Sequence, residues 1–319
     1  MKKYIFIFLL SIFTIFTAAC GAGETQSNDN KATADNNTAN EIVTVTHELG
    51  ETEVQKNPEK IIVFDFGALD TLDKMGVDIT GLPKSGAVPP YLSKYEEDKY
   101  ANVGSLKEPD FEKIAEIGPD LIIISGRQAE LYEEFSKIGP TIFVGLDLNN
   151  YMDSFKNNVR TLGEIFGKED FVEEELTKID EQIEQVRSEV TNLGKNALIV
   201  LVNEGKVNAF GPGSRFGLIH DVLGFTPVDE SIKVATHGET ISFEFIVEKD
   251  PDYLFVVDRT AVVGGNGSAK EVIENELTEN TKAYQDGNIV YLDPNYWYLS
   301  GGGLVSVAEM INEVKEAIQ

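Results

Sequence analysis

Residues 111–127, FEKIAEIGPDLIIISGR, decide the fold of this chain, because a second version, FEFIVEKDPDYLFVVDR, occupies residues 243–259 without a gap. Seven of the seventeen positions are identical. Each copy predicts a short helix, a Pro-Asp turn, a buried strand and an arginine just past the strand's carboxyl end. In open α/β sheets, ligands bind at that end of the strands. The repeat therefore predicts two similar lobes that face each other across a cleft, which Arg127 and Arg259 would make suitable for an anion.

The amino terminus has the features of an export signal. Two lysines precede an apolar run over residues 4–16, and small residues surround Cys20, the only cysteine of the chain. The run is too short for a membrane-spanning helix, and its order of charged, apolar and small residues is typical of a cleaved signal peptide, residues 1–20. The site resembles the bacterial lipoprotein box, in which the cysteine becomes the lipidated first residue, although Thr17 stands where that box usually has Leu. An ordinary signal peptide with an incidental Cys20 is the alternative.

A polar segment separates this signal from the folded body. Residues 21–41 are mostly Asn, Thr, Ala, Ser and Asp. Such a composition buries too little apolar surface to offset the entropy of ordering, so it predicts a flexible tether. Together with a lipidated Cys20, the tether would hold a soluble body at the extracytoplasmic face of a cell membrane.

The charge of the chain limits its partners. The formal net charge is -27 at pH 7. Nucleic-acid affinity comes largely from the neutralisation of phosphates, so such a surface predicts no nucleic-acid partner. An anionic ligand would need locally concentrated arginine, and the repeat places arginine at the cleft.

The sequence that follows the tether predicts an α/β fold with two α/β lobes joined by a single long helix. Short apolar runs alternate with amphipathic helical patterns from residue 61 onward, which is typical of parallel sheets. Residues 170–193 carry apolar side chains at alternating spacings of four and three, and Gly194 supplies a stop. We assign residues 42–169 to an N-terminal lobe, residues 170–193 to the connecting helix and residues 194–319 to a C-terminal lobe. A coiled-coil partner for the helix is the alternative. One stiff helix as the only crossover would restrict the lobes to small relative motion.

Four further segments add a family resemblance over essentially the whole mature chain. They are GPGSRFG (residues 211–217), THG (residues 236–238), FVVDR (residues 255–259) and LDPNYWYLSGGG (residues 292–303). With the lipoprotein start and the two lobes, they resemble the class III solute-binding proteins of ABC importers, which carry iron complexes and cobalamin. The resemblance is greatest to the petrobactin-type group that binds catecholate siderophores.

The resemblance implies that three arginines, Arg127, Arg215 and Arg259, hold a ferric catecholate. An iron(III) catecholate carries negative charge on its phenolate oxygens, and the guanidinium group offers permanently charged donors in a planar fork. A salt bridge to a neighbouring acid is the structural alternative for any one of them.

The resemblance also marks His237 and Tyr298 as residues that complete the coordination of iron(III) when the siderophore supplies only four donor oxygens. Tyrosinate oxygen and imidazole nitrogen suit that ion. With a hexadentate siderophore the pair would serve only as pocket wall. The chain is expected to hold no permanent cofactor, with the ferric siderophore as its ligand.

Aromatic side chains are candidates for contact with the catechol rings, Trp297 and Tyr91 foremost among them. Core packing is the alternative reading, and for Trp297 it is at least as good.

Glu112 and Glu244 occupy equivalent places in the two repeats, where an acid in the first turn of a helix is favoured by the helix dipole. In the family, one glutamate on each lobe binds the permease, so we predict that Glu112 and Glu244 dock there. Glu116 and Glu248 also recur and remain alternatives.

These observations predict a monomeric, membrane-tethered receptor that binds a ferric catecholate siderophore and delivers it unchanged to the permease subunits of an ABC importer. A haem or cobalamin carrier of the same fold is the first rival. An enzyme is the second rival, but the sequence contains neither Gly-x-Ser-x-Gly nor a phosphate-binding Gly-x-x-x-x-Gly-Lys.

Overall fold

The computed structural model describes residues 41–86 and 88–319. The predicted signal peptide, Cys20 and all of the predicted tether except Glu41 lie outside these residues. None of the helices in the described part of the chain is long and apolar enough to cross a membrane.

The described residues form thirteen strands and ten α-helices. The strands are β1 (Ile42–His47), β2 (Gly50–Gln55), β3 (Ile61–Val63), β4 (Gly81–Leu82), β5 (Ala101–Asn102), β6 (Leu121–Ile124), β7 (Thr141–Phe143), β8 (Asn196–Asn203), β9 (Lys206–Phe210), β10 (Thr226–Pro227), β11 (Glu239–Thr240), β12 (Tyr253–Asp258) and β13 (Ile289–Leu292). The helices are α1 (Phe66–Lys74), α2 (Phe111–Ile117), α3 (Tyr132–Ser136), α4 (Tyr151–Ile165), α5 (Glu169–Leu193), α6 (Phe243–Lys249), α7 (Arg259–Val263), α8 (Ala269–Ile273), α9 (Lys282–Gln285) and α10 (Leu304–Ala317).

The first sheet has the strand order β5-β4-β3-β6-β7, and all of its pairs are parallel. From β3 the chain moves outward to β4 and β5 and then returns to the other side of β3 as β6 and β7. The strand order therefore reverses between β3 and β6, the kind of position at which open α/β sheets bind ligands. The hairpin of β1 and β2 forms a separate antiparallel pair beside β7 and α4.

The second sheet repeats this plan with one antiparallel edge. Its order is β11-β9-β8-β12-β13, with β10 added beside the start of β8. Strands β8, β12 and β13 are parallel, whereas β9 runs antiparallel to β8 and to β11. The reversal falls between β8 and β12, so each sheet has one such position.

The repeated Pro-Asp pair has a structural reason. The carboxylate of Asp120 accepts the Lys60 N–H at 2.8 Å, just before β3 begins. In the second copy the carboxylate of Asp252 accepts the Asn196 N–H at 3.1 Å, where β8 begins. Each aspartate thus ties the strand of its own repeat to the start of the neighbouring parallel strand.

Helix α5 agrees with the predicted connecting helix to within one residue at its start. Its predicted apolar positions are buried except for Leu193, which is partly exposed, and Gly194 ends it in the left-handed conformation at φ 62°. The exact lobe boundaries at residues 169 and 193 stay a prediction. Helix α5 is the covalent crossover, but it is not the only link, because α10 packs against both α5 and α1.

The hydrophobic core is divided by the sheets. One central cluster joins buried residues of α1, α4, α5 and α10 to those on the inner faces of both sheets. Two smaller clusters cover the outer faces, one on each sheet. The central cluster is continuous between the halves, and it supports the cleft described next.

Candidate functional site

A cleft opens where the carboxyl ends of the strands of the two sheets face each other. It has one compartment of about 710 Å³ and another of about 640 Å³. Both compartments are bordered by Lys107, Arg127, Arg259, Tyr298 and Leu299. The cleft therefore lies at the two positions where the strand order reverses.

The arginines of the repeat reach the cleft from equivalent places. Arg127 is the second residue of a 3₁₀ turn, Gly126–Leu131, that follows β6. Arg259 is the first residue of α7 and follows β12 directly. The guanidinium group of Arg259 also donates to the amide oxygen of Asn203, the last residue of β8. That contact spans the strand reversal of the second sheet.

The third arginine enters from a loop. Arg215 follows β9 in the segment whose glycines were part of the family resemblance, and it is mostly buried. Burial and the charge of Arg127 lower the pKa of Arg215 to about 10. An arginine held in this way is a cation that lacks a counter-charge.

Tyr298 is the point at which the three arginines meet. Its carbonyl oxygen accepts hydrogen bonds from Arg127 at 2.9 Å and from Arg215 at 3.1 Å. Its phenol oxygen accepts one from Arg259 at 2.7 Å. The guanidinium carbons of Arg127, Arg215 and Arg259 lie 5.9, 4.5 and 5.4 Å from the centre of its ring. Arg215 and Arg127, which are 83 and 171 positions from Tyr298 in the sequence, thus converge on this one residue.

The arginines change the chemistry of this phenol. Burial by itself would raise the pKa of Tyr298, but the hydrogen bond from Arg259 and the three positive charges outweigh it and lower that pKa below its ordinary value. A lowered pKa makes the phenolate, the form that binds iron(III), easier to reach.

His237 borders the same larger compartment as Tyr298. It is exposed on a turn before β11, and its imidazole makes no hydrogen bond to any other described residue. Both of its ring nitrogens can therefore serve a ligand. The described residues contain no cluster of three or more His, Cys, Asp or Glu that could hold a metal ion.

None of the three arginines forms an ion pair with a carboxylate among the residues that the structure describes. The acids that border the cleft are Asp65 and Glu204. Asp65 caps α1 by accepting the Ala68 N–H at 2.8 Å, and its charge attracts that of Arg127 without forming an ion pair. The cleft is thus a positive region in a chain whose net charge is -27. The salt-bridge alternative does not apply to these arginines.

Comparison with known proteins identifies the relatives of this chain. The family model described as "Periplasmic binding protein" matches residues 61–296. The chain belongs to this family. It is 50% identical to the petrobactin-binding protein YclQ of Bacillus subtilis, with all of both chains covered, and 33% identical to the ferric-anguibactin-binding protein FatB of Vibrio anguillarum over 87% of this chain and 88% of FatB.

Solved structures of the family have the same fold. The crystal structure of YclQ from Bacillus subtilis superimposes with a TM-score of 0.86 at 54% identity, covering 88% of this chain and 99% of that one. The catecholate-siderophore binding protein VctP of Vibrio cholerae gives a TM-score of 0.83 at 37% identity, covering 86% of this chain and 100% of that one. The predicted class III α/β fold is confirmed, and the protein is a substrate-binding member of its family rather than an enzyme.

The two predicted aromatic contacts, Tyr91 and Trp297, lie at different distances from the cleft. Tyr91 does not border either compartment; its hydroxyl donates to the Asp70 carboxylate at 3.2 Å and lies 2.7 Å from Ser300 Oγ, which can donate to it, and its ring packs on Tyr296. The structure therefore does not place Tyr91 at the border of the cleft, where it was predicted, because its hydroxyl is held by polar partners that no sequence pattern reveals.

Trp297 lies beneath the cleft. It borders the larger compartment but is only 2% exposed, and its indole N–H donates to Glu313 at 2.7 Å. Its ring lies 6.5 Å from that of Phe216. Most of the surface of Trp297 is therefore packed in the core, which was the alternative interpretation.

The two predicted docking glutamates are both exposed. Glu112 is in the first turn of α2, which Asp110 caps, and Glu244 is in the first turn of α6, which Ser242 caps. Neither makes an ion pair within the described part of the chain. Glu116, in contrast, is bound to Lys113 at 2.8 Å, which favours Glu112 as the free acid of the first repeat.

Lys107 is a further cation of the cleft that was not predicted from the sequence. This exposed lysine borders both compartments, and its ammonium group has no partner among the described residues. The preceding carbonyl, that of Leu106, accepts a hydrogen bond from Gln128 at 2.5 Å. Because Gln128 adjoins Arg127, the loop of Lys107 is fixed to the turn that carries Arg127, a link that no local sequence pattern reveals.

Proposed function

We propose that this protein binds a ferric catecholate siderophore in the cleft between its two sheets and delivers it to an ABC importer. The observation that carries the proposal is the group of three arginines around Tyr298, none of which has a carboxylate partner among the described residues. Such a group is costly in a folded protein unless an anion neutralises it. The names of YclQ and FatB support an iron complex as that anion.

The chemistry of the ligand fits the cleft. A ferric catecholate has its negative charge spread over several phenolate oxygens, and planar guanidinium groups can donate to two such oxygens at once. Arg127, Arg215 and Arg259 approach from different elements, so the charge can be compensated from several sides. Lys107 at the border adds a fourth cation.

His237 and Tyr298 would complete the coordination of iron(III) when the siderophore supplies four oxygens. Both border the larger compartment, and the lowered pKa of Tyr298 favours the phenolate. With a hexadentate siderophore the iron needs no protein atom, and the pair would only contact the complex.

The proposed location and partners complete this function. Cys20 would carry a lipid anchor at the extracytoplasmic face of the cell membrane, and residues 21–41 would form the tether. Glu112 and Glu244 would each meet one permease subunit, and the receptor would act as a monomer without a permanent cofactor. The relative YhfQ, a putative ABC transporter substrate-binding lipoprotein, supports the anchor.

Fluorescence quenching of the purified protein tests the proposal. We expect saturable quenching with ferric complexes of bis-catechol and tris-catechol chelators, and none with haem or cobalamin. Replacing Arg127, Arg215 and Arg259 together by Met should abolish it. The matched control is Arg160→Met, because Arg160 lies on the outside of α4 and is paired with Glu173. Binding of haem or cobalamin without binding of either ferric catecholate would overturn the proposal in favour of its rival.

A further inference from the structure

Helix α1 of the first half contacts the chain of the second half between Ser300 and Ser306 without intervening side chains. A Cβ atom on Gly67 would lie 2.9 Å from the Gly302 carbonyl carbon and from the Gly303 nitrogen, closer than real Cβ atoms come. The glycines at 67 and 303 therefore allow backbone to meet backbone. This contact lies just after Tyr298 in the sequence.

The start of α10 is capped from the other half of the molecule. Gly303 precedes the helix and has no side chain with which to cap it. Asp70 of α1, which is 0% exposed, takes this role. Its two carboxylate oxygens accept the Val305 N–H at 3.1 Å and the Ser306 N–H at 3.0 Å. A carboxylate at the first free N–H groups of a helix is favoured by hydrogen bonding and by the helix dipole.

Further hydrogen bonds fix the same segment. Thr71 Oγ1 accepts the Leu304 N–H at 3.1 Å, and the Tyr151 hydroxyl donates to the Gly301 carbonyl at 2.5 Å. The Tyr91 hydroxyl donates to the Asp70 carboxylate at 3.2 Å and lies within hydrogen-bond distance of Ser300 Oγ at 2.7 Å, so it links the cap to the residue two positions after Tyr298. Most of these groups are buried, where a lost partner is expensive.

We propose that Asp70 is a positioning residue of the binding site: through its cap on α10 and its bond to Tyr91 it holds Tyr298 where the three arginines meet. The inference rests on the proposed function in taking the ligand to be the anion of the cleft. Its geometric reason is that the hydrogen bonds to Tyr298 weaken steeply with small displacements. A shift of the segment from Ser300 to Ser306 would move Tyr298 away from Arg127, which belongs to the first half.

The ligand-free protein offers a direct readout, the ionisation of the Tyr298 phenol. We would follow it by ultraviolet absorbance as a function of pH, subtracting the same titration of Tyr298→Phe. In Asp70→Asn we expect the pKa of Tyr298 to rise toward the ordinary value of a tyrosine. Removing a negative charge would by itself lower the pKa of a phenol, so a rise identifies movement away from the arginines. Affinity for a ferric bis-catechol complex should fall about tenfold in the same variant.

The matched control is Asp73→Asn. Asp73 lies on the same helix, but its carboxylate accepts from Tyr95 at 3.0 Å and pairs with Lys94, both within the first half. We expect Asp73→Asn to leave the Tyr298 titration and the affinity unchanged.

Tyr91→Phe decides the matter if Asp70→Asn does not fold, because it removes only the hydroxyl bridge between Asp70 and Ser300. Tyr91→Phe should also raise the pKa of Tyr298, by less than Asp70→Asn does. An unchanged or lowered pKa of Tyr298 in the folded variants would overturn the positioning role. If that pKa rises but the parent protein binds no ferric catecholate, the positioning role holds and the proposed function fails.

Discussion

Replacing Arg215 by Met is expected to stabilise the ligand-free protein while weakening its binding of a ferric catecholate. Arg215 is mostly buried beside two other cations, and its pKa is lowered to about 10 by burial and by Arg127. A base whose folded pKa lies below its unfolded value is a net cost to folding at every pH at which it stays charged. Methionine has a similar length and no charge, so it removes this cost.

The magnitude follows from the lowered pKa. A value of about 10 for Arg215 corresponds to about 3 kcal/mol of destabilisation at neutral pH. The variant also loses the hydrogen bond to the Tyr298 carbonyl, which keeps its bond from Arg127. We therefore expect the free energy of unfolding to rise by about 1 to 3 kcal/mol. Binding should lose a charge-assisted interaction of about 1.5 to 3 kcal/mol, a decrease in affinity of roughly tenfold or more.

The assay combines denaturant unfolding of the ligand-free protein with fluorescence titration by a ferric tris-catechol complex. Arg160→Met is the control and should show neither the gain in stability nor the loss of affinity. If Arg215→Met is less stable than the parent and binds the complex equally well, then Arg215 is a structural residue and the reasoning about an uncompensated cation is wrong.

Three further predictions concern metal coordination, pH and docking. Tyr298→Phe and His237→Ala should each change the visible absorbance of a bound ferric bis-catechol complex, and His237→Ala should leave that of a tris-catechol complex unchanged; equal effects on both complexes would argue against coordination. Burial raises the pKa of Glu313 to about 7, so its contribution to stability is present below its unfolded pKa and is lost as pH rises through 7. We would measure the free energy of unfolding by chemical denaturation at about pH 6 and pH 8. Its decrease between these two pH values should be smaller in Glu313→Gln than in the parent, and an equal decrease in both proteins would refute this assignment. Replacing Glu112 and Glu244 together by Ala should abolish uptake by cells while siderophore affinity stays within about twofold; normal uptake would exclude them as the docking acids.

Much of the fold could be predicted because the repeat encodes local structure. Each copy predicts a short helix, a Pro-Asp turn and a strand within seventeen residues, and the structure has a helix and a strand in both copies, α2 and β6 in the first and α6 and β12 in the second. The two-residue strands β4 and β5 could not be predicted, since they are too short to show a period. The arginines were found because two of them occupy the same place in the repeat.

Other parts of the site depend on contacts between distant residues. Asp70 and Ser306 are 236 positions apart, and no sequence motif near either residue indicates that they are in contact. Tyr91 was predicted to contact the ligand because it is aromatic, but its hydroxyl is bound within this long-range network. Lys107 was missed because it lies in an ordinary polar loop, and only the fold brings that loop to the cleft.

The backbone contact of Gly67 with Gly303 has a consequence for how cargo is captured. With no side chain between the two halves at this point, a change of rotamer cannot accommodate their movement, and a hinge there would have to break the hydrogen bonds of Asp70. We expect the receptor to meet its cargo in a shape already close to the final one. Most of the conformational entropy of the cleft is then lost during folding rather than during ligand binding. A chelate that fits loosely therefore cannot gain affinity by changing the shape of the cleft.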